Sequence, residues 1–401
     1  MQAADDSSRD PSPIGHDAFS QSAEWLRGLG DASDVVMSSR VRLARNIAGY
    51  PFTPHASRVD RSQILEACKQ RILNMPMHAP GSQAAPQADP RFMWIDLHRV
   101  GREDRNLLVE RQLMSRQHAR GKQVSGAGGP DEPRSVAVLV PDERVSIMVN
   151  EEDHLRLQTI RSGLALGSCL QEANDLDDRI EAGLDYAYHP RFGYLTACPT
   201  NVGTGLRLSV MLHLPGLKLT GELDKVRRAA HDMGLAVRGF YGEGSESSGE
   251  FYQLSNQTTL GKSDEMLLRE MEQEIVPMVI GYERHARKNL MGTRREMIED
   301  QIWRALGTLR HARMMKVDEA MNLLSMVRLG VLTGMINKDT DTITLEQIHG
   351  LLLSVQPMHL QRTLNAALTQ QERRVARANL IRQQLDNSNG SGGSVDSALE
   401  R

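Results

Sequence analysis

The chain has 401 residues, with 48 Lys and Arg against 51 Asp and Glu for a formal net charge of -3, 40% hydrophobic residues and only 4% aromatic ones. That length is two to three times the roughly 150 residues of one domain, so two domains with linkers or tails are expected, and the charge balance excludes the basic footprint of a general nucleic-acid binder. Of the 48 cations, 40 are Arg and 8 are Lys; arginine grips phosphate and carboxylate bidentately, so the skew permits phosphate chemistry, although genome base composition produces the same bias.

The three cysteines, Cys68, Cys169 and Cys198, stand far apart with no CxxC pair, which argues against a disulfide framework or a structural zinc and fits a reducing compartment. There is no apolar run of the ~18 to 20 residues that span a membrane, and the start MQAADDSSRD is acidic and polar, unlike a signal peptide, so a cytoplasmic protein is expected.

In chain order, residues 1–22 are rich in Ser, Asp and Pro and read as a disordered tail. Pro76 to Pro90 and Gly121 to Pro133 have the composition of loops. Strands are expected at 93–97, 136–140, 145–149, 193–197, 206–212 and 251–256, and Arg40 and Arg42 share one face if their segment is extended. Leu176, Ile180 and Leu184 recur at helical spacing. Consecutive strands with short connections, interrupted by helices, predict an α+β fold with a largely antiparallel sheet flanked by helices. From Ser263 the pattern turns helical to about 385, a second domain, and residues 386–401 read as another tail. Met321, Leu324, Met326 and Leu329 read as packing residues. Two motifs fail: Leu260-Gly261-Lys262-Ser263 lacks the glycine a phosphate loop needs at Asn256, and Gly203-Thr204-Gly205 is a lone GxG ahead of a strand.

Four segments concentrate charge and glycine: Ser38-Ser39-Arg40-Val41-Arg42, Asn150-Glu151-Glu152-Asp153-His154-Leu155-Arg156, Cys198 to Arg207 (CPTNVGTGLR), and Arg238 to Glu246 (RGFYGEGSE). Arginines on a sheet face must meet anions, because a buried guanidinium without a partner costs several kcal/mol. They pair with the nearby acids or receive a polyanion such as ATP.

Together these segments resemble the guanidino-kinase superfamily, and the wording DVVMSSRVRLARN, NEEDHLR, CPTNVGTGLR and RGFYGEGSE resembles the bacterial protein-arginine kinase family from about Asp34 to Gly261, more loosely to about Leu385. The resemblance implies a guanidino-kinase-like catalytic domain at 23–262, a helical C-terminal domain at 263–385, and ATP-dependent phosphorylation of protein arginine side chains, with Mg²⁺ bound through the nucleotide. It implies that Arg40, Arg42, Arg156, Arg207 and Arg238 bind phosphates, and that Ser38, Ser39, Val41, Leu208, Ser209, Val210, Met211, Gly239, Phe240, Tyr241, Gly242 and Glu243 line the nucleotide site. Gln112 stands where the family has a nucleotide-contacting His. Glu152 and Glu243 would hold the acceptor guanidinium, with Glu152 as base and Cys198 beside it; a small buried residue is the other reading of Cys198. Glu151, Asp153 and His154 are expected to brace Glu152 and Arg156. Arg373, Arg374, Arg377 and Ala378 fall where the family carries a phosphoarginine pocket, with Arg374 replacing its Asp. No dedicated metal site is expected.

Only 37 residues precede Ser38, too few for the helical domain that small-molecule guanidino kinases carry there, so a protein acceptor is expected. A small-molecule guanidino kinase and a catalytically silent phosphoarginine-binding or partner-binding adaptor are the alternatives. By resemblance the partners include protein substrates, a zinc-containing activator, an unfoldase-protease that degrades marked proteins under stress, and a second copy in a homodimer; neither nucleic acid nor membrane is implied.

Overall fold

A computed structural model describes residues 14, 19, 23–75, 90–121, 132–240, 248–337, 339 and 341–386. The expected C-terminal tail and most of the N-terminal tail and of the two loops lie outside the described residues, as do Tyr241, Gly242 and Glu243. Ile14 is described, and it is 2% exposed in a core cluster with Leu97, Leu108, Val136, Val138 and Met148, so the first 22 residues are not tail throughout.

The strands are β1 (Val36–Arg45), β2 (Arg91–Asp96), β3 (Ser135–Val140), β4 (Val145–Val149), β5 (Leu155–Ser162), β6 (Tyr188–His189), β7 (Gly193–Tyr194), β8 (Leu206–His213), β9 (Leu235–Gly239) and β10 (Phe251–Asn256). Among the described residues, eight of them form one sheet in the order β2-β3-β4-β5-β1-β8-β10-β9, and β6 pairs with β7. The pairs β2/β3, β3/β4, β4/β5, β5/β1, β1/β8 and β10/β9 are all antiparallel. β4 is buried at every residue and β3 at all but its last, which is why their sequences run continuously apolar.

The helices are α1 (Arg58–Leu73), α2 (Arg102–Glu110), α3 (Arg116–Arg120), α4 (Leu166–Glu181), α5 (Pro215–Leu219), α6 (Leu223–Asp232), α7 (Asp264–Arg269), α8 (Val276–Thr293), α9 (Arg295–His311), α10 (Val317–Leu332), α11 (Leu345–Ser354), α12 (Pro357–Thr363) and α13 (Gln370–Asp386). α1 opens with a capping box, Ser57 accepting from the Asp60 N–H while Asp60 accepts from Ser57, which satisfies two N–H groups that a helix start leaves open. Ser263 caps α7 through the Met266 N–H, and Lys262 pairs with Glu270 at 2.6 Å, so the discarded GKS tripeptide starts a helix. α4 packs on β1 and β5.

The chain divides into two compact units, the first made of 1–213, 224–245 and 252–282, the second of 214–223, 246–251 and 283–401. The second is helical: α9 packs on α10 and α13, with Met321, Leu324 and Leu329 buried. In it the buried Glu283 accepts from the Gly216 and Leu217 N–H groups and from Arg287.

Three local expectations are corrected. The strand expected at 193–197 stops after Tyr194, because the next residues bond singly: Leu195 to Ala187, and Ala197 to the Asp153 carboxylate. α4 ends at Glu181, before Leu184. β5 was not expected because Arg156, Gln158 and Arg161 break its apolar pattern; Arg156 and Gln158 alternate with Leu155, Leu157 and Thr159 across the two faces.

Candidate active site

β1 lies centrally and is buried along its length except at Arg40 and Arg42. On β8 the single unburied position is Arg207. Register explains the gathering: Arg40 stands opposite Ser209 on β8 and Ile160 on β5, Arg42 opposite Arg207 and Gln158, Ala44 opposite Arg156, and directly opposed residues share a face. Arg238 faces Gln253 across β9 and β10. Ser38 belongs to the same face, whereas Ser39 and Val41 point the other way. Ser39 donates to the Gly163 carbonyl at 2.8 Å and accepts from the Ala165 N–H, holding the turn before α4.

Arg40 donates to three neutral groups, Ser209 at 3.4 Å, Gln112 at 3.3 Å and Gln253 at 2.9 Å. Arg207 donates to Ser255 at 3.1 Å, and the Asn256 side chain ties the β8 backbone at Leu206 and Leu208. Arg42 Nε is buried with no hydrogen-bond partner. Burial, and then repulsion from Arg207, lowers Arg40 to about 10. Arg42 is pushed well below its ordinary value by burial and by Arg40, Arg207 and Arg156, with Glu151 opposing. Like charges directly opposite one another destabilise a sheet, so this face stores unfavourable energy that an anion would relieve.

Arg156, next on that face, is different. It pairs with Glu151 at 2.9 Å, Glu152 at 3.0 Å and Asp153 at 3.4 Å, and these carboxylates outweigh its burial and raise its pKa. Burial would raise Glu151, but Arg156, His118, the Glu152 N–H and Ser115 together bring it down to about 2. Asp153 accepts from Asn46 at 2.8 Å and from the Ala197 N–H at 2.7 Å, so one carboxylate ties β1's exit and the approach to Cys198 to the Glu152 turn. His154 accepts from the Ile47 N–H and donates to the Pro51 carbonyl. Burial lowers its pKa, so it is a neutral brace. Glu152 keeps 31% of its side chain exposed. Cys198 is half-buried, with Sγ 3.0 Å from Thr200 Oγ1.

The loop between Cys198 and β8 is held by Arg45, which pairs with Asp177 at 2.6 Å, donates to Thr204 and Ala44 carbonyls and lies 3.5 Å from the Tyr194 ring centroid. Gln112 has φ +64 and is fixed by its neighbours: Arg111 forms a bidentate pair with Glu143 at 2.6 Å, and Gln158 donates to the Gln112 carbonyl at 2.7 Å. A small pocket opens beside Arg40, with Gln112, Ser38, Ser209 and Met211 among its walls. Leu208 and Val210 are buried strand residues, Gly239 ends β9, and Phe240 follows it, both buried. Among the described residues no group of three His, Cys, Asp or Glu could hold a metal.

Arg373, Arg374, Arg377 and Ala378 lie on α13 in the second unit. The buried Arg377 donates to the Val355, Met315 and Arg373 carbonyls, and Arg373 to that of Leu368. The sequence reading missed Gln253, Ser255 and Asn256, which hold the arginine face, and Ser115 and His118, which hold Glu151. A signal for the first group exists: Gln253 and Ser255 are alternate polar residues in an otherwise apolar strand.

Residues 81–286 match the family described as ATP:guanido phosphotransferase, C-terminal catalytic domain, and residues 295–394 match the protein-arginine kinase McsB C-terminal domain. The protein-arginine kinase of Symbiobacterium thermophilum is 42% identical over 366 residues, covering 90% of this chain and 96% of that one. That of Geobacillus stearothermophilus is 40% identical over 361 residues, covering 90% and 93%. Among solved structures, lombricine kinase aligns with a TM-score of 0.52 at 23% identity over 68% of this chain and 73% of its own, which shows a shared fold. No helix among the described residues is long and apolar enough to cross a membrane. A guanidino-phosphotransferase catalytic region followed by the matching C-terminal domain, with 42% identity to a relative across nearly its full length, establishes that the chain is a kinase belonging to the protein-arginine kinase family.

Proposed function

We propose that the protein transfers the γ-phosphoryl group of ATP to the guanidinium of arginine side chains in proteins. The observation that carries this reading is the arginine face: Arg40, Arg42 and Arg207 stand together in the sheet, Arg40 hydrogen-bonds neutral groups, and Arg42 Nε has no partner. Such a face suits a polyphosphate. Arg156 and Arg238 extend it, and the cavity beside Arg40 takes the nucleoside end. Magnesium would ride on the phosphates and neutralise their charge, since Mg²⁺ commonly keeps water and phosphate ligands.

A guanidinium has a pKa above ~12 and a delocalised lone pair, so its nitrogen attacks only once it is aligned and losing a proton. Glu152 is the base, with Glu243 as the second carboxylate and Cys198 beside them. As the nitrogen bonds to the γ-phosphorus, its proton passes to Glu152 and the P–O bond to the ADP oxygen breaks. Glu152 at present accepts from Arg156, so phosphate that draws Arg156 away releases the base.

The test uses radiolabelled ATP with an unfolded, arginine-rich protein and, in parallel, free arginine. Acid-labile phosphate on protein arginine, lost in Glu152→Gln, is the expected result. Label on free arginine alone would identify a small-molecule guanidino kinase, and nucleotide binding with no transfer would identify an adaptor. The same reading makes the product a degradation mark in a cytoplasmic stress response, with a zinc-containing activator, an unfoldase-protease and a homodimer. Co-purification with such partners and sedimentation of the purified protein check those points. Arg373 and Arg377 donate to backbone carbonyls that bound phosphoarginine would compete with, so binding of free phosphoarginine, compared with Arg377→Ala, tests that pocket.

A further inference from the structure

The cavity beside Arg40 is also walled by a residue that no motif singles out, Trp25. It sits in a single 3-10 turn, Glu24–Leu26, packed on β1 and β5. The side chain is 3% exposed, and its ring lies 5.9 Å from that of Phe240 at the end of β9. Its Nε1–H is buried and has no hydrogen-bond partner. An indole N–H is a donor only, and a buried tryptophan normally finds it an acceptor, because leaving it unmet costs about as much as a hydrogen bond is worth.

We propose that Trp25 is a nucleotide-specificity residue whose Nε1–H donates to a ring nitrogen of the purine base. This rests on the reading of the arginine face as the phosphate site. The pocket connects the two ends required: Arg40 belongs to the charged face, while Ile160, Met211 and the indole supply apolar walls. Purine ring nitrogens that carry no hydrogen are pure acceptors, the complement of a neutral donor fixed in an apolar wall. Three of the other polar wall residues, Gln112, Gln253 and Ser209, accept from Arg40. Trp25 thus supplies what the arginines cannot, a contact that distinguishes a nucleotide from any other polyphosphate.

Trp25→Phe keeps an aromatic ring and removes the donor. The test measures binding of ATP and of inorganic tripolyphosphate, which lacks the base, to wild type and variant by calorimetry. A neutral hydrogen bond has a net value corresponding to roughly 2- to 10-fold in affinity. The expected result is ATP binding weakened within that range with tripolyphosphate binding unchanged. In addition, one of 1-deaza-, 3-deaza- or 7-deaza-ATP should bind wild type more weakly than ATP yet show no further loss in the variant, as required of two groups sharing one bond. Equal weakening of ATP and tripolyphosphate would assign Trp25 a purely structural role and overturn the proposal, as would unchanged ATP binding. Wild-type protein that binds neither ligand would overturn the phosphate-site reading, and the proposal with it.

Discussion

At the scale of single residues, the site is organised by unequal treatment of like charges. Arg156 is satisfied by three carboxylates, whereas Arg42 faces other arginines and has its pKa depressed by burial and repulsion. A charge held unfavourably for binding costs stability in the free protein. Arg42→Met should therefore raise the stability of the unliganded protein while lowering phosphoryl transfer by roughly 10³-fold, the lower end of what one phosphate-clamping arginine contributes. Urea denaturation and the radiolabel assay measure the two effects, and the stabilisation that tripolyphosphate confers on wild type should shrink in the variant. Asp153 makes the opposite case. Its Oδ1 accepts from Asn46 and the Ala197 N–H, and it is fully buried. Asp153→Ala leaves two donors buried without an acceptor, at about 1–3 kcal/mol each; a drop in the urea midpoint with a matching loss of transfer is expected, because the approaches to Glu152 and Cys198 come apart together.

At the scale of elements, the NVGTG loop shows why glycine recurs without a dinucleotide site. Gly205 has φ +66, and a Cβ there would meet the Ala44 carbonyl oxygen at 2.6 Å and Arg45 Nη1 at 2.7 Å. Gly205→Ala should cost about 1–3 kcal/mol from the backbone conformation alone, more with the close contact, and thermal unfolding would register it as a lower Tm. The loop must pass this close to β1 because Arg45 donates to the Thr204 carbonyl at 2.9 Å. Much of the element level was legible in the sequence: β3, β4, β8 and β10 announce themselves as apolar runs, and Ser263 as a helix start. β5 was not, since the residues it shows to the site are Arg156 and Gln158 and the apolar signal falls where function places polar side chains. The site's arginines were legible by motif, but their mutual approach was not, because it depends on the antiparallel register of β1 with β8, more than 160 residues apart in the chain.

At the scale of the whole molecule, two buried groups couple stability to acid. Glu151 is held at about 2 against an ordinary 4.5, and His118 at about 4 against 6.5, the latter chiefly by burial. Both folded values are depressed, so each contribution is present above the ordinary pKa and lost as pH falls toward the folded one. The urea midpoint should start to decline below about pH 6.5, as His118 is asked to accept a proton, and fall further below about pH 4.5 as Glu151 is. Glu151→Gln should flatten the lower limb and extend the upper one to lower pH, because the Glu151 carboxylate opposes the lowering of His118 by burial. A midpoint that is flat from pH 7 to 3 would contradict both assignments.

The sequence by itself determined the chemistry available to this protein. Its motifs place five arginines, two carboxylates and a cysteine in the order of a guanidino kinase, and the alternation of strand residues already puts Arg40 and Arg42 on one face. Tertiary structure decided which of these charges are satisfied and which are held open. It set Arg156 among three acids and Arg42 among arginines, closed the Glu151 and Asp153 networks through Ser115, His118, Asn46 and Ala197, and brought an unmarked tryptophan to the wall of the cavity with its donor unmet. The physical reason is range. Side-chain alternation is a property of neighbouring residues, whereas desolvation, repulsion and the lack of a hydrogen-bond partner belong to groups that only folding brings within a few ångströms of one another.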